Sequence, residues 1–363
     1  MKRSTVILFA FMLGAIVTSA YSPATAEIKT IPYVSNQSGV ELSPDGKTIA
    51  THEIGVIQGD EVIPGFLPIR LFDVETGSER SALVGHTDYA VDIAFSPDSK
   101  TLASYHFPGY IYLWNAENGT LIKEIPTTTG VTGIRFLADG KTLVMSINNP
   151  YNLMFLLLDT ETGYITRVVM NRFESRDDFM NYVDEHVPAD FMSAFTVSPD
   201  EKSLIVMMAS GNLFRWDAET GEAAVLKAVE ETLPVFFTRK VIFSHDASSI
   251  LYEHRDEQVI YVLDAVTGAE RAVIPAPNIY TFDLAPDNDT LVWLGNEPVA
   301  LNVVSLTQPD APPTVIPLAF REGVRVVGPT VTLSFLPDEK RVMLGGMAKT
   351  GDPENALYVV AVK

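Results

Sequence analysis

The residues best suited to acid–base or metal chemistry are six histidines, because an imidazole changes charge near neutral pH and ligates metals. They stand singly along the chain. No H-E-x-x-H pair, no G-x-S-x-G and no glycine-rich phosphate loop occurs, so no nucleophile lies beside a base and no phosphate cradle is preset. One constellation arises when the second strands of an internal repeat, described below, are superposed. Glu53, His106 and His254 then share one position, and His with Glu can bind Zn²⁺. The copies holding them are not all neighbours, and others put Ile147, Met208, Gly295 and Gly346 there, which makes ordinary loop residues the expectation. Asp287-Asn288-Asp289 opens like a calcium loop but lacks the sixth-position glycine and the closing glutamate, so it reads as a turn. Cysteine is absent, which excludes thiolate sites and disulfides. No catalytic residue, no metal and no cofactor is expected.

Charge complementarity is the other chemistry on offer. Within 171–192, Ser175 is a helix cap with Asp178 three residues on, and Pro188 marks the end. Phe179, Tyr182, Val183, His186 and Val187 share one side of that helix, and Asp177, Asp178, Asp184 and Glu185 share the other. The acidic side is either a solvated face or a docking surface for a basic protein partner, helped by Glu53, Asp60 and Glu61.

These residues must be positioned by a repeat. A Ser-Pro-Asp-like turn recurs seven times, at Ser43, Ser96, Leu137, Ser198, Ser244, Ala285 and Leu336, about 49 residues apart. Short runs with period-2 alternation, such as Val91, Ile93 and Phe95, flank these turns. In five copies the third strand ends in Asx-x-x-x-Gly, from Asp73 to Gly77, Asn115 to Gly119, Asp159 to Gly163, Asp217 to Gly221 and Asp264 to Gly268. Seven units of four short strands predict an all-β fold, a seven-bladed β-propeller with four-stranded antiparallel blades. The last unit lacks an outer strand, and Ile28 to Tyr33 is predicted to supply it by pairing with Ala356 to Val362, closing the ring.

Gly85-His86, Ser104, Leu113-Trp114-Asn115 and Arg215-Trp216-Asp217 resemble the WD40 repeat, most strongly in the second blade. The resemblance implies that His86, Ser104 and Trp114 belong to a buried hydrogen-bonded tetrad whose Asp position falls near Phe107-Pro108. It also implies two connections per blade on a face opposite the Ser-Pro-Asp turns. Insertions at 52–67, 171–192, 228–239, 307–328 and 345–355 all map there, and long connections in compact domains tend to carry function. The expectation is a non-catalytic protein-interaction platform using that face. The alternative is an enzyme or enzyme subunit of dehydrogenase or lactonase type with its site at the channel mouth, where Asp88, Asp92 and Arg135 lie near the inner strands. A third possibility is a small-molecule sensor using the central pocket. Propellers that hold a quinone dock it with repeated tryptophans, and this chain has three.

Composition agrees with a large packed core: 363 residues, 47% hydrophobic and 20% charged. The formal charge of −20 argues against nucleic acid and anionic membranes, which select basic surfaces. Residues 1–26 read as a cleaved signal peptide, with Lys2 and Arg3, an apolar run from Val6 to Ala20, and Ala24-Thr25-Ala26. Cleavage at Ala20 is a second option. A periplasmic or secreted monomer, with the propeller over 27–363 and no membrane attachment after cleavage, is expected.

Overall fold

The computed structural model describes residues 28–362 apart from 35–36, 54, 59–60, 65–67, 87, 150–151, 171–191, 209–210, 221, 228–239, 255–256, 297–298, 319–323, 327–330 and 350–353. These residues form seven antiparallel sheets and one small hairpin. Blade 1 runs outward through Gln37–Leu42, Thr48–Glu53, Ile69–Asp73 and Glu79–Leu83. Blade 2 follows with Ala90–Phe95, Thr101–His106, Tyr110–Asn115 and Leu121–Pro126. Blades 3 to 6 repeat the order, starting at the inner strands Val131–Phe136, Met192–Val197, Val241–Phe243 and Ile279–Leu284. Blade 7 contains Thr332–Phe335, Arg341–Lys349 and Glu354–Ala361, and takes its outer strand from Ile28–Val34, in register from Ile28 opposite Val360 to Val34 opposite Glu354.

Three expected boundaries change, and the insertion assigned to 345–355 is taken up by the strands Arg341–Lys349 and Glu354–Ala361 except at 350–353, which lie outside the described residues. The insertion assigned to 307–328 holds Thr314–Pro317, which pairs with Ala300 to Val303 as the outer strand of blade 6. Its prolines hide it, because proline is atypical of strands other than edges. The 52–67 insertion contains a hairpin of Gly55–Gln58 with Glu61–Pro64. The helix expected within 171–192 falls outside the described residues, except that Met192 already opens an inner strand.

Period-2 alternation sends successive side chains to opposite faces of a blade, and here both faces are buried. Leu102, Tyr112 and Trp114 of blade 2 pack with Ile69, Leu71 and Leu83 of blade 1. Their neighbours Ala103, Tyr105, Ile111 and Leu113 pack with Ile134, Leu143 and Met145 of blade 3. Middle strands therefore read as continuous apolar runs, as in Ser203–Met208, buried throughout. Among the described residues seven such clusters lie one at each seam, and the last joins Val40, Ile49 and Phe72 of blade 1 to Met343, Leu357 and Val359 of blade 7.

The turns between first and second strands are built alike. In blade 1 Ser43 Oγ donates to Asp45 Oδ1 at 2.7 Å and accepts from Thr48 N–H at 2.9 Å. The residue after the aspartate is left-handed in all seven blades: Gly46, Ser99, Gly140, Glu201, Ala247, Asn288 and Glu339, with φ between 58° and 70°. Three of the non-glycine residues reach the preceding blade. Ser99 Oγ accepts from Asp45 N–H at 3.0 Å, Glu201 Oε1 from Ala138 N–H, and Asn288 Oδ1 from Asp246 N–H at 3.2 Å. Other seams are tied differently. Asp92 Oδ2 accepts from Ile134 N–H at 2.8 Å and Asp283 Oδ2 from Phe335 N–H at 2.8 Å. Lys227 meets Glu270 at 3.1 Å between blades 4 and 5, and Arg341 meets Glu75 at 2.9 Å between blades 7 and 1. Gly268, at φ 69°, brings its backbone against blade 4, where a Cβ would stand 2.4 Å from the Leu226 carbonyl oxygen.

Two outcomes test this account. Deleting residues 28–34 strips the partner from Glu354–Ala361 and should lower the thermal unfolding midpoint by at least about 10 °C. An Ala247→Gly variant relieves left-handed strain at a side chain that clamps nothing, and should gain about 1 kcal/mol, raising the midpoint by about 2 °C in calorimetry.

Candidate functional site

Two regions gather polar side chains: the hydrogen-bonded centre of blade 2 and the central channel. In blade 2, Ser104 is fully buried on the second strand, and Trp114 is fully buried on the third. Trp114 Nε1–H donates to Ser104 Oγ at 2.8 Å. The imidazole on Ser104 is that of His106, whose Nε2 lies 2.9 Å from the hydroxyl. His86 sits beside His106 with ring centroids 4.5 Å apart. Both imidazoles place Nδ1 on the Asp88 carbonyl oxygen, at 2.9 Å for His86 and 2.7 Å for His106. Burial pushes the His106 pKa down to about 3, and burial also lowers that of His86. The two rings are therefore neutral at neutral pH, and each spends its Nδ1 hydrogen on one carbonyl.

A surface feature adjoins this network. Tyr89, in the connection entering blade 2, and Phe107, in the turn after Thr101–His106, hold their rings 3° from parallel with centroids 6.1 Å apart. Phe107 is 49% exposed. Asp88 Oδ1 accepts from the Tyr89 N–H at 2.8 Å.

The channel is a cavity of about 510 Å³ lined by all seven blades, within the range of small-ligand sites. Bulges next to Gly39, Asp92, Gly133, Ala194 and Thr281 break the register of five inner strands and so re-aim side chains there. Two charged groups result. Arg135 lies 3.0 Å from Asp92 Oδ2 and 2.5 Å from the Ile134 carbonyl oxygen, with Glu41 close by. Burial works against the guanidinium, yet Asp92 and Glu41 hold its pKa above the ordinary value. Across the channel, Lys240 meets Asp283 at 3.2 Å and the Leu333 carbonyl oxygen at 2.9 Å. His52 is buried with Nδ1 3.1 Å from the Ala90 carbonyl oxygen, and burial lowers its pKa. Gly39 makes room for this ring, since a Cβ there would lie 2.2 Å from His52 Nε2. Glu253 is a buried carboxylate on the same wall.

Glu41 is the titrating group. Burial pushes its pKa up to about 7, with Arg135 opposing. A raised carboxyl pKa means that the folded state keeps a proton the unfolded chain has lost, so stability falls as pH rises from about 4.5 through 7. Glu41→Gln should be about 1–2 kcal/mol more stable than the parent at pH 8, channel water screening the rest, and level with it near pH 4. Urea midpoints at the two pH values check this.

Of the residues singled out in the sequence, Ser104 and Trp114 are joined directly, and His86 reaches them through its contact with His106. Asp177, Asp178, Asp184, Glu185 and Asp60 lie outside the described residues. Glu53 ends the strand Thr48–Glu53, and Glu61 opens Glu61–Pro64. His106 is committed to Ser104 and Asp88, while His254 pairs with Glu257 at 3.9 Å. Among the described residues no three His, Cys, Asp or Glu side chains gather as metal ligands. Sequence reasoning missed the Tyr89–Phe107 pair and the link between His106 and Ser104. The available signal was Phe107-Pro108 standing where the repeat has its aspartate.

The family model described as WD domain, G-beta repeat, matches residues 77–115, from the turn before blade 1's outer strand Glu79–Leu83 through Asn115 at the end of blade 2's third strand. Coronin-7 of Mus musculus is 35% identical over 83 residues, and coronin-7 of Homo sapiens 31% over 83. Either alignment covers 22% of this chain and 9% of the relative's length. The β-propeller domain of Cps50 (Swd1) from Myceliophteria thermophila superposes with a TM-score of 0.62 over 93% of this chain and 100% of that domain, at 13% identity, which speaks for the fold alone. Seven sheets joined at seven seams make the chain a seven-bladed β-propeller, and the segment 77–115 is similar to a WD40 repeat.

Proposed function

We propose that this chain is an exported, non-catalytic protein-interaction platform whose loop-bearing face holds a basic protein partner, in the periplasm or outside the cell. WD40 propellers commonly bind proteins, and a rigid scaffold with loops on one face suits that use. The observation that carries the choice of face is the half-exposed Phe107 stacked on Tyr89, since aromatic anchors at rigid positions dominate protein interfaces. The charge of −20 favours a basic partner, and Asp177, Asp178, Asp184, Glu185, Glu53, Asp60 and Glu61 are the carboxylates assigned to it. Export rests on the basic, apolar and Ala-x-Ala pattern of residues 1–26. No described helix is long and apolar enough to cross a membrane.

A second reading, an enzyme or enzyme subunit with its site at the channel mouth, draws on Glu41, whose carboxyl is poised near neutrality as a general base requires.

Native mass spectrometry on the gently purified protein, with and without reversal of Asp177, Asp178, Asp184 and Glu185 to Lys, tests the proposal. A co-purifying polypeptide that the reversed variant loses is the expected result. Equal recovery by both forms would remove this surface from the platform. A bound organic cofactor or metal in place of a polypeptide would favour the channel enzyme, and a mass beginning at Glu27 would establish export with cleavage.

A further inference from the structure

The Tyr89–Phe107 pair has more chemistry around it than an apolar anchor needs. Its two rings come from separate connections, and both are tied to one residue. The Asp88 carbonyl oxygen takes Nδ1 of His86 and of His106, at 2.9 and 2.7 Å, and His106 immediately precedes Phe107. The Asp88 carboxylate accepts from Tyr89 N–H at 2.8 Å through Oδ1. His106 is in turn fixed by buried Ser104. The pair therefore adjoins a hydrogen-bonded part of blade 2, so ordering it on binding costs little. Oδ2 of Asp88 makes no hydrogen bond or ion pair with the described residues. The chain's cation–π contacts, among the described residues, fall on Phe195, Tyr252, Tyr261 and Phe282, and none covers Phe107 or Tyr89.

Resting on the platform reading, we propose that Phe107, Tyr89 and Asp88 form a recognition site for an arginine side chain of the partner. An aromatic face carries partial negative charge and attracts a cation laid flat on it. The Asp88 carboxylate, held next to Tyr89 through the Tyr89 N–H on Oδ1, offers Oδ2 as an acceptor for N–H groups of the same cation. A guanidinium meets both demands at once, because it is planar, permanently charged and presents N–H groups in its own plane. An ammonium supplies the charge without the flat face, and an apolar side chain leaves the carboxylate unanswered. The bend of the chain at Phe107-Pro108, where the repeat otherwise places its aspartate, puts an aromatic ring at the surface of the one blade that best keeps the repeat.

The test uses the full chain and a fluorescein-labelled Gly-Arg-Gly-Arg-Gly peptide, read by anisotropy. Lysine and citrulline versions of the same peptide vary the charge and the shape separately. The arginine peptide should bind at least ten-fold tighter than the citrulline peptide, with lysine between them. Asp88→Asn, which keeps an acceptor for Tyr89 N–H, and Phe107→Ala should each weaken arginine binding at least five-fold while leaving the unfolding midpoint in place. Phe107→Leu retains apolar bulk and should behave as the alanine variant does; a folded leucine variant keeps the test valid should alanine perturb the loop. Equal binding of citrulline and arginine peptides, or unchanged binding by Asp88→Asn and Phe107→Leu, would overturn the site. Unchanged peptide binding in those variants together with partner loss in the Asp177/Asp178/Asp184/Glu185 reversal would overturn the arginine site and leave the platform standing. The opposite pattern would keep the arginine site and remove the acidic surface.

Discussion

Everything in this molecule depends on the burial of both faces of every blade. A single twisted four-stranded sheet with two apolar faces has no stable existence in water, because each face exposes leucines, valines and aromatics that must be covered. Stacking a second blade covers one face and exposes another, and only a closed ring ends the series. The seven seam clusters show the closure physically: no blade ends on a bare apolar face, and the cluster between blades 7 and 1 is built of the same kinds of residues as the rest. The strand Ile28–Val34 belongs to this logic, since it completes a sheet begun at the other end of the chain.

The same constraint sorts polar residues into a few places. A buried hydroxyl or imidazole is costly in a seam unless it is bonded. Ser104 meets that condition with Trp114 and His106. The channel meets it with two pairings across neighbouring blades, Arg135 with Asp92 and Lys240 with Asp283. Glu41 and the histidines respond to burial in opposite charge senses, the carboxyl held protonated upward toward pH 7 and the imidazoles held neutral downward into acid. The interior of the ring thus favours uncharged forms except where a partner of opposite sign stands beside the group.

The fold was largely legible in the chain because its signals are local. Ser-Pro-Asp turns, Asx-x-x-x-Gly turns and period-2 runs each depend on a few adjacent residues, and seven of the first kind mark seven blades. Thr314–Pro317 was not legible, since four residues flanked by prolines carry too little alternation to outweigh them. The site was legible only in part. Ser104 and Trp114 follow from the repeat, but the substitution of His106 for His86 at the serine depends on how the chain turns at Phe107-Pro108, which residue spacing does not encode. The stacking of Tyr89 on Phe107 joins connections 18 positions apart, and the pairing of Arg135 with Asp92 joins different blades; neither leaves a periodic trace. The carboxylates of 171–192 were visible as a pattern, and their placement lies outside the described residues.

The polar ties between blades differ from seam to seam: a serine, a glutamate or an asparagine from a left-handed turn at three of them, channel aspartates at two, and lysine–glutamate or arginine–glutamate pairs at the remaining two. Apolar clusters alone would allow any blade to sit beside any other. Unlike fasteners remove that freedom, because a blade in the wrong place brings a donor to a neighbour with no acceptor at the matching height. The divergence of the copies, which at first sight looks like decay of a repeat, thus works as an address for each blade. It lets a chain of near-duplicate units assemble in one order, and it makes the ring a set of seven parts that cannot be exchanged.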